Sequence, residues 1–187
     1  TVPLCAIPGY QRKIREEMPA LRPDLGNDLS ALRREAIRVL LQRAGEDPNL
    51  AEPAFEVFYE ARQKVNFYED AIPALDFLKS KYPMVALSNG NADIHKVGLG
   101  NYFVAAFNPI SLGVGKPDPK MFHAGAEALG VLPEEVLHIG DDAELDVLAA
   151  LACGMQTAWV NREDKLWPHA QQPHETVRSL AELTALF

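Results

Sequence analysis

After Lys81, the sequence alternates short apolar runs with stretches of helical periodicity, and this alternation restricts the possible folds more than any other feature. The predicted strands are Met84–Leu87, Ala105–Phe107, Val136–Ile139 and Thr157–Val160. The predicted helices are Asp93–Gly98, Pro119–Leu129, Glu144–Cys153 and Thr176–Leu186. Strands that are regularly separated by helices form a parallel sheet with helices on its faces. The sequence therefore predicts an α/β domain.

The part of the chain before Lys81 is helical and has no strand pattern. Apolar residues recur at three- and four-residue spacing from Leu29 to Leu40, with Asp28 placed to cap this helix and Gly45 to end it. Its arginines, which we interpret as a solvated face, are Arg33, Arg34 and Arg38. An aromatic stretch follows, for which core packing is favoured over stacking on a planar substrate ring; it comprises Phe55, Phe58, Tyr59, Phe67 and Tyr68.

Charge and hydropathy argue against several functional classes. The 187 residues include 18 basic and 26 acidic side chains, which gives a formal net charge of −8. A surface of this sign does not favour nucleic acids or anionic lipids. The sequence has no apolar run long enough to span a bilayer and does not begin with a secretory signal pattern. We therefore expect a cytoplasmic protein, a monomer or homodimer, that acts on a small molecule.

Polar side chains follow three of the predicted strands. Ser88 and Asn89 follow the first strand, Lys116 lies in the loop after the second, and an acidic group follows the third; that group is Asp141, Asp142 and Asp146. Considered one at a time, the Ser88–Asn89 pair would be interpreted as a turn, Lys116 as a loop lysine, and the aspartates as helix caps. Because ligands bind beyond the carboxyl ends of parallel strands, the residues together indicate one site. Carboxylates suit Mg²⁺, and a lysine with a hydroxyl suits a phosphoryl group, which predicts phosphoryl transfer.

These residues, in this order, resemble the motifs of the haloacid dehalogenase-like hydrolase superfamily. The matching segments are VALSNG with Ser88, GKPDPKMF with Lys116, and HIGDDAELD with the three aspartates. The resemblance implies a three-layer Rossmann-like parallel sheet core at 67–187 and a helical cap at 8–66, with 1–7 as a remnant that follows the first strand. The amino-acid sequences of these segments resemble those of bacterial phosphatases of flavin mononucleotide or ribitylaminouracil phosphate.

The resemblance also implies a role for each residue in a Mg²⁺-dependent phosphatase. Asp141 and Asp142 would be metal ligands, and Asp146 would orient either the metal shell or Lys116. Ser88 and Lys116 would be catalytic and would hold the phosphoryl group with the help of Asn89.

The family's first motif, Asp-x-Asp-x-Thr at the end of an apolar strand, does not occur in these 187 residues. That motif supplies the aspartate nucleophile that forms an aspartyl-phosphate. We therefore expect the first core strand to be missing, the nucleophile to lie outside this sequence, and the 187-residue chain to be inactive.

Two alternatives remain. One is a catalytically inactive binding or interaction protein. The other is a metal-independent haloacid dehalogenase, which the Asp141–Asp142 pair disfavours. The histidines are interpreted as surface or packing residues, since none has metal-ligand spacing; they are His95, His123, His138, His169 and His174.

Overall fold

The computed structural model describes residues 9–187. The predicted remnant at 1–7 and the first residue of the predicted cap lie outside this range. The chain divides into two compact units, a helical unit that comprises described residues 9–65 and 90–93, and an α/β unit that comprises 66–89 and 94–187. The predicted boundary between residues 66 and 67 stays a prediction, because compactness alone does not test whether each part is a domain.

The helical unit contains three helices, α1 at Tyr10–Leu21, α2 at Leu29–Ala44 and α3 at Ala51–Gln63. The predicted ends of α2 are confirmed. The Asp28 side chain accepts a hydrogen bond from the Ala31 backbone N–H at 2.9 Å, and Gly45 ends the helix in the left-handed conformation. The first two helices bury a common apolar core of Ile14, Met18, Leu32 and Ala36.

The α/β unit contains two parallel sheets among the described residues. In the first sheet, β1 at Val85–Leu87 pairs with β2 at Ala105–Phe107. In the second, β4 at Gln156–Val160 lies between β3 at Leu137–Gly140 and β5 at Glu175–Val177. The helices are α4 at Ala71–Lys81, α5 at Pro109–Leu112, α6 at Pro119–Leu129, α7 at Ala149–Ala152 and α8 at Leu180–Thr184. The predicted parallel α/β architecture is confirmed.

Three predicted helices differ from the structure. The helix predicted at 93–98 is absent, because Gly98 adopts a left-handed conformation and closes the segment after a single turn. The segment predicted as one helix at 176–186 is β5 followed by α8, since β5 pairs with β4 and buries Val177. The helix predicted at 144–153 begins as a π-helix at Ala143–Leu148 and continues as α7.

The apolar core of the α/β unit lies between helices and strands. Helix α6 packs against β1 and β2, and its Phe122 is fully buried. A second cluster joins β4, β5 and α8 through Ala158, Val160, Val177 and Leu183. These contacts fix the strand ends from which the polar residues project. Within residues 9–187, no helix has the length and apolar character that crossing a membrane requires.

Candidate active site

Two of the predicted site residues stand directly at carboxyl ends of strands in the α/β unit. Ser88 follows β1, and its backbone N–H donates to the Phe107 carbonyl at 3.0 Å, which extends the pairing with β2 by one step. Asp141 follows β3 in the same way. Both residues are exposed, so a ligand at this edge of the unit can reach them.

Asn89 fixes the backbone of the loop that carries Lys116. Its side-chain Oδ1 accepts from the Lys116 N–H, and its Nδ2 donates to the Lys116 carbonyl, both at 2.7 Å. A single amide therefore satisfies both backbone groups of the lysine. Gly115 makes this approach possible, since a Cβ at that position would lie 2.7 Å from the Asn89 Oδ1.

The ammonium group of Lys116 is fixed by Asp146. Lys116 Nζ donates to Asp146 Oδ1 at 2.5 Å, and His138 Nε2 lies 3.2 Å from the same oxygen. The other oxygen, Oδ2, accepts from the Asp142 N–H at 3.1 Å. Asp146 is only 4% exposed, and the Lys116 side chain is 13% exposed. Lys116 is therefore held at its backbone by Asn89 and at its side chain by a buried carboxylate.

This environment determines the charge of Asp146. Burial alone would raise the pKa of the carboxyl group. The hydrogen bonds with His138 and Lys116, together with the positive charge of Lys116, outweigh burial and hold the pKa of Asp146 well below its usual range. Asp146 is therefore a carboxylate at every pH near neutral, and it keeps a cationic lysine beside the strand ends.

Gly140 makes room for this carboxylate. A Cβ built on Gly140 would lie 2.3 Å from Asp146 Cγ and 2.4 Å from Asp146 Cβ. Rotating the end of the Asp146 side chain would not remove this clash, because its Cβ is fixed by the backbone. The residue before the acidic pair therefore has to be glycine while Asp146 occupies its present position.

The two adjacent aspartates differ in their surroundings. Asp142 caps the π-helix, where its Oδ1 accepts from the Glu144 N–H at 2.9 Å and from the Leu145 N–H at 2.7 Å. Asp141 is held through its backbone, since the Trp159 indole N–H donates to its carbonyl at 3.0 Å. The Asp141 backbone is thus fixed by Trp159, and the residue stays exposed at the end of β3.

Asp141 and Asp142 are the residues that the sequence assigns to Mg²⁺. In the described part of the chain, no group of three or more histidine, cysteine, aspartate or glutamate side chains is arranged to hold a metal ion. Mg²⁺ often takes only one or two protein carboxylates and keeps several waters. Asp141 is exposed and fits the role of one such carboxylate, whereas the Oδ1 of Asp142 already accepts two backbone hydrogen bonds. The predicted assignment of Mg²⁺ to these residues stays a prediction.

The structure joins four of the six predicted residues directly. Asn89 contacts Lys116, Lys116 contacts Asp146, and Asp146 accepts from the backbone of Asp142. Ser88 and Asp141 lie at strand ends of the same unit. Of the two roles that remained open for Asp146, orienting the metal shell or orienting Lys116, the hydrogen bond favours the second.

Two further positioning residues escaped the sequence analysis. His138 was assigned to packing or the surface, and it does pack edge-on against Phe122 with ring centroids 5.1 Å apart, but it also contacts Asp146. Trp159 has no functional signature in the sequence, yet its indole N–H holds the Asp141 backbone carbonyl. Neither could be found from spacing, because each acts on a residue that only strand pairing or a turn brings near.

A third missed feature repeats the Asn89 arrangement at the end of β4. The Asn161 side chain donates to the Lys165 carbonyl at 2.8 Å and accepts from the Lys165 N–H at 2.9 Å. The pKa of Lys165 is raised, first by its hydrogen bond to Glu163 and to a smaller extent by Asp141 and Asp142. The Lys165 ammonium group itself pairs with Glu163 at 2.8 Å on an exposed surface.

A parallel α/β unit with a lysine, a hydroxyl and an acidic cluster at its strand ends is an arrangement suited to a hydrolase. The model of the haloacid dehalogenase-like hydrolase family matches residues 9–154, and the chain belongs to this family. The predicted family and its Rossmann-like fold are thereby confirmed.

The relatives include both phosphatases and dehalogenases. The chain is 31% identical over 183 residues to the 5-amino-6-(5-phospho-D-ribitylamino)uracil phosphatase YigB of Escherichia coli. The aligned region covers 94% of this chain and 77% of that protein. It is 31% identical over 136 residues to a phosphoserine phosphatase of Thermus thermophilus, covering 70% of this chain and 55% of that protein. A crystal structure of a 2-haloacid dehalogenase from Pseudomonas syringae superposes with a TM-score of 0.84 at 31% identity, covering 94% of this chain and 78% of that one.

Proposed function

We propose that this chain is part of a Mg²⁺-dependent phosphatase that hydrolyses the phosphomonoester of a small metabolite. The observation that carries the proposal is the buried Lys116–Asp146 pair, whose carboxylate also accepts from the Asp142 backbone N–H. The similarity to YigB supports a substrate from the flavin pathway. The predicted cytoplasmic location and monomeric or homodimeric state stay part of this proposal.

In the proposed reaction, Lys116 binds a phosphoryl oxygen while Asp146 fixes the position of its ammonium group. The Ser88 hydroxyl donates to a second phosphoryl oxygen, and Asn89 acts through the Lys116 backbone. A Mg²⁺ ion held by Asp141, with Asp142 as a second ligand or a ligand through water, would supply further neutralisation of the phosphoryl charge. None of these residues replaces the nucleophile, which we assign to an aspartate outside these 187 residues. That carboxylate would attack phosphorus to form an aspartyl-phosphate while the bond from phosphorus to the metabolite's oxygen breaks and the metabolite leaves as its alcohol; water would then hydrolyse the aspartyl-phosphate to inorganic phosphate and the free carboxylate.

The test compares the 187-residue chain with a version extended by the coding sequence that precedes Thr1. Both are assayed on p-nitrophenyl phosphate, flavin mononucleotide and a panel of phosphorylated metabolites, with Mg²⁺ and with a chelator. We expect phosphate release only from the extended version and only with Mg²⁺. Phosphate release by the 187-residue chain, or none by the extended version, would contradict the proposal.

A second candidate function is dehalogenation of a 2-haloacid without metal, which the similarity to the Pseudomonas syringae structure favours. Chloride release from 2-chloropropionate in the presence of a chelator, without phosphatase activity, would identify it. The adjacent aspartates at 141 and 142 support the phosphatase instead, because paired carboxylates are suited to a cation and impede an anionic substrate.

A further inference from the structure

Two groups of aromatic residues differ in what their rings contact. In the helical unit, Arg33 packs on Phe58, with its guanidinium carbon 4.6 Å from the ring centre, and Arg34 packs on Phe55 at 4.3 Å. The interpretation of these two arginines as a solvated face is therefore wrong. The other group consists of the two tryptophans of the chain, which belong to the α/β unit and lead to the candidate site.

The loop 161–174, which joins β4 to β5, packs back against the strand that precedes it. The ring of Trp167 in this loop lies edge-on against Trp159 of β4, with ring centroids 4.9 Å apart. The Trp167 indole N–H donates to the Gln171 carbonyl at 2.9 Å, so the loop itself fixes this ring. The start of the loop is fixed as well, since the Asn161 side chain binds both backbone groups of Lys165.

The inner ring of the tryptophan pair contacts the acidic strand end. Trp159 is 4% exposed, and its indole N–H donates to the Asp141 carbonyl at 3.0 Å. A hydrogen bond of this kind weakens steeply when the donor turns away from the acceptor, so it requires the indole ring to keep its orientation. Because Trp167 packs against this ring, it restricts the donor that holds the Asp141 backbone.

The same loop reaches the helix that begins after Asp142. His169 lies edge-on against Trp167, with ring centroids 5.5 Å apart, and its Nε2 is 3.6 Å from the Glu144 Oε1. Glu144 is also bound to Asp142, because its backbone N–H donates to the Asp142 Oδ1 at 2.9 Å. Trp167 thus lies between one chain of contacts that ends at Asp141 and another that ends at Asp142.

The backbone between the two aspartates needs such support. Asp141 follows β3 and Asp142 precedes the π-helix, so the peptide bond between them joins two different elements. Mg²⁺ demands a near-ideal octahedral arrangement of its ligands, and residues that hold metal ligands in place change metal affinity about 10–100-fold when they are removed. A change in the relative position of the two residues should therefore weaken Mg²⁺ binding.

We propose that Trp167 is a positioning residue for the aspartate pair, acting on Asp141 through Trp159 and on Asp142 through His169 and Glu144. The inference rests on the proposed function, since it concerns the Mg²⁺ affinity of the two aspartates. It assigns a role to a loop that none of the sequence motifs covers.

The test is a calorimetric titration with MgCl₂ of the version extended by the coding sequence that precedes Thr1. Trp167→Ala removes the ring that packs against Trp159 and His169, and it should weaken the Mg²⁺ affinity about tenfold. Trp167→Phe keeps an aromatic ring at this position and should retain most of the affinity. His169→Ala is a second, milder variant that removes the contact with Glu144, and it should weaken the affinity to a smaller extent.

Tyr82→Ala is the matched control. Tyr82 belongs to the same unit and lies edge-on against Phe187 with ring centroids 5.6 Å apart, but it precedes β1 and so stands at the opposite end of the strand. Its removal should leave the Mg²⁺ affinity unchanged. Circular dichroism of each variant checks that it is folded under the conditions of the titration.

Phosphate release gives a readout that loss of structure alone would not produce. In Trp167→Ala, excess Mg²⁺ should restore phosphate release to the level of the unmodified extended version. A loss that excess Mg²⁺ does not restore would overturn the inference, as would a Mg²⁺ affinity that neither Trp167→Ala nor His169→Ala lowers below that of Tyr82→Ala. Absence of Mg²⁺ binding by the unmodified extended version is a distinct result, which would contradict the proposed function and the inference together.

Discussion

Replacing Asp146 by asparagine tests the central interaction of the candidate site. Asp146 and Lys116 form a buried ion pair with side chains 5% and 13% exposed, and His138 contacts the same carboxylate oxygen. Removing one partner of a buried pair costs about 3–5 kcal/mol. Because asparagine keeps one acceptor of the same shape, we expect a loss of about 3 kcal/mol in the free energy of unfolding of the α/β unit at pH 7.

The assay is urea unfolding followed by tryptophan fluorescence. Both tryptophans of the chain, Trp159 and Trp167, belong to the α/β unit, so the signal reports this unit alone. With a slope of about 1.5 kcal/mol per M, a loss of about 3 kcal/mol lowers the urea midpoint by about 2 M. Asp164→Asn is the matched control, because its pair with Arg178 is exposed and such pairs contribute at most about 1 kcal/mol.

The pH dependence gives this prediction a second, independent readout. The pKa of Asp146 is lower in the folded protein than in the unfolded chain, where it is about 3.9. The stabilisation is therefore present above the unfolded pKa and is lost as the pH falls toward the folded value. The difference between wild type and Asp146→Asn should narrow as the pH falls below about 4. A difference that stays undiminished at about pH 3, or a midpoint no lower than that of Asp164→Asn, would refute the reasoning.

Three further changes have defined outcomes. Gly140→Ala places a methyl group 2.3 Å from Asp146 Cγ. This variant should lower the urea midpoint by about as much as Asp146→Asn. An unchanged midpoint would show that the Asp146 carboxylate can move aside. Asn89→Ala removes both hydrogen bonds to the Lys116 backbone, so exchange of the Lys116 amide hydrogen should accelerate about tenfold or more. Equal exchange rates in the variant and the wild type would show that Asn89 does not hold the Lys116 backbone. Asp28→Ala removes the cap of α2 and should cost about 1 kcal/mol, seen as faster hydrogen exchange confined to the first turn of that helix; uniform exchange changes would contradict this assignment.

The sequence is sufficient to place most of the α/β framework, because apolar runs and capping residues act locally. The predicted strands coincide with β1 to β4 to within one residue at either end. Strand β5 could not be found in this way, since only Val177 of its three residues is buried and no alternation is visible. Its formation depends on pairing with β4, which is separated from it by a long loop.

For the candidate site, residue types were predictable and contacts were not. The order of Ser88, Lys116 and the aspartates identifies the chemistry, but Lys116 and Asp146 are 30 residues apart and meet only through the fold. The contact of His138 with Asp146 is even harder to predict from the sequence. A single histidine within a strand has no distinguishing spacing, and its contact with Asp146 requires the π-helix to turn the chain back toward β3.

The Asn89 side-chain amide is also a site of spontaneous deamidation. Asn89 is followed by Gly90, and asparagine before glycine loses its amide nitrogen more readily than in other sequences because glycine lets the backbone nitrogen attack the side chain. The resulting carboxylate would face the Lys116 carbonyl with an oxygen where an N–H group now donates at 2.7 Å. Slow hydrolysis of this one amide would therefore loosen the loop that carries Lys116 without cutting the chain.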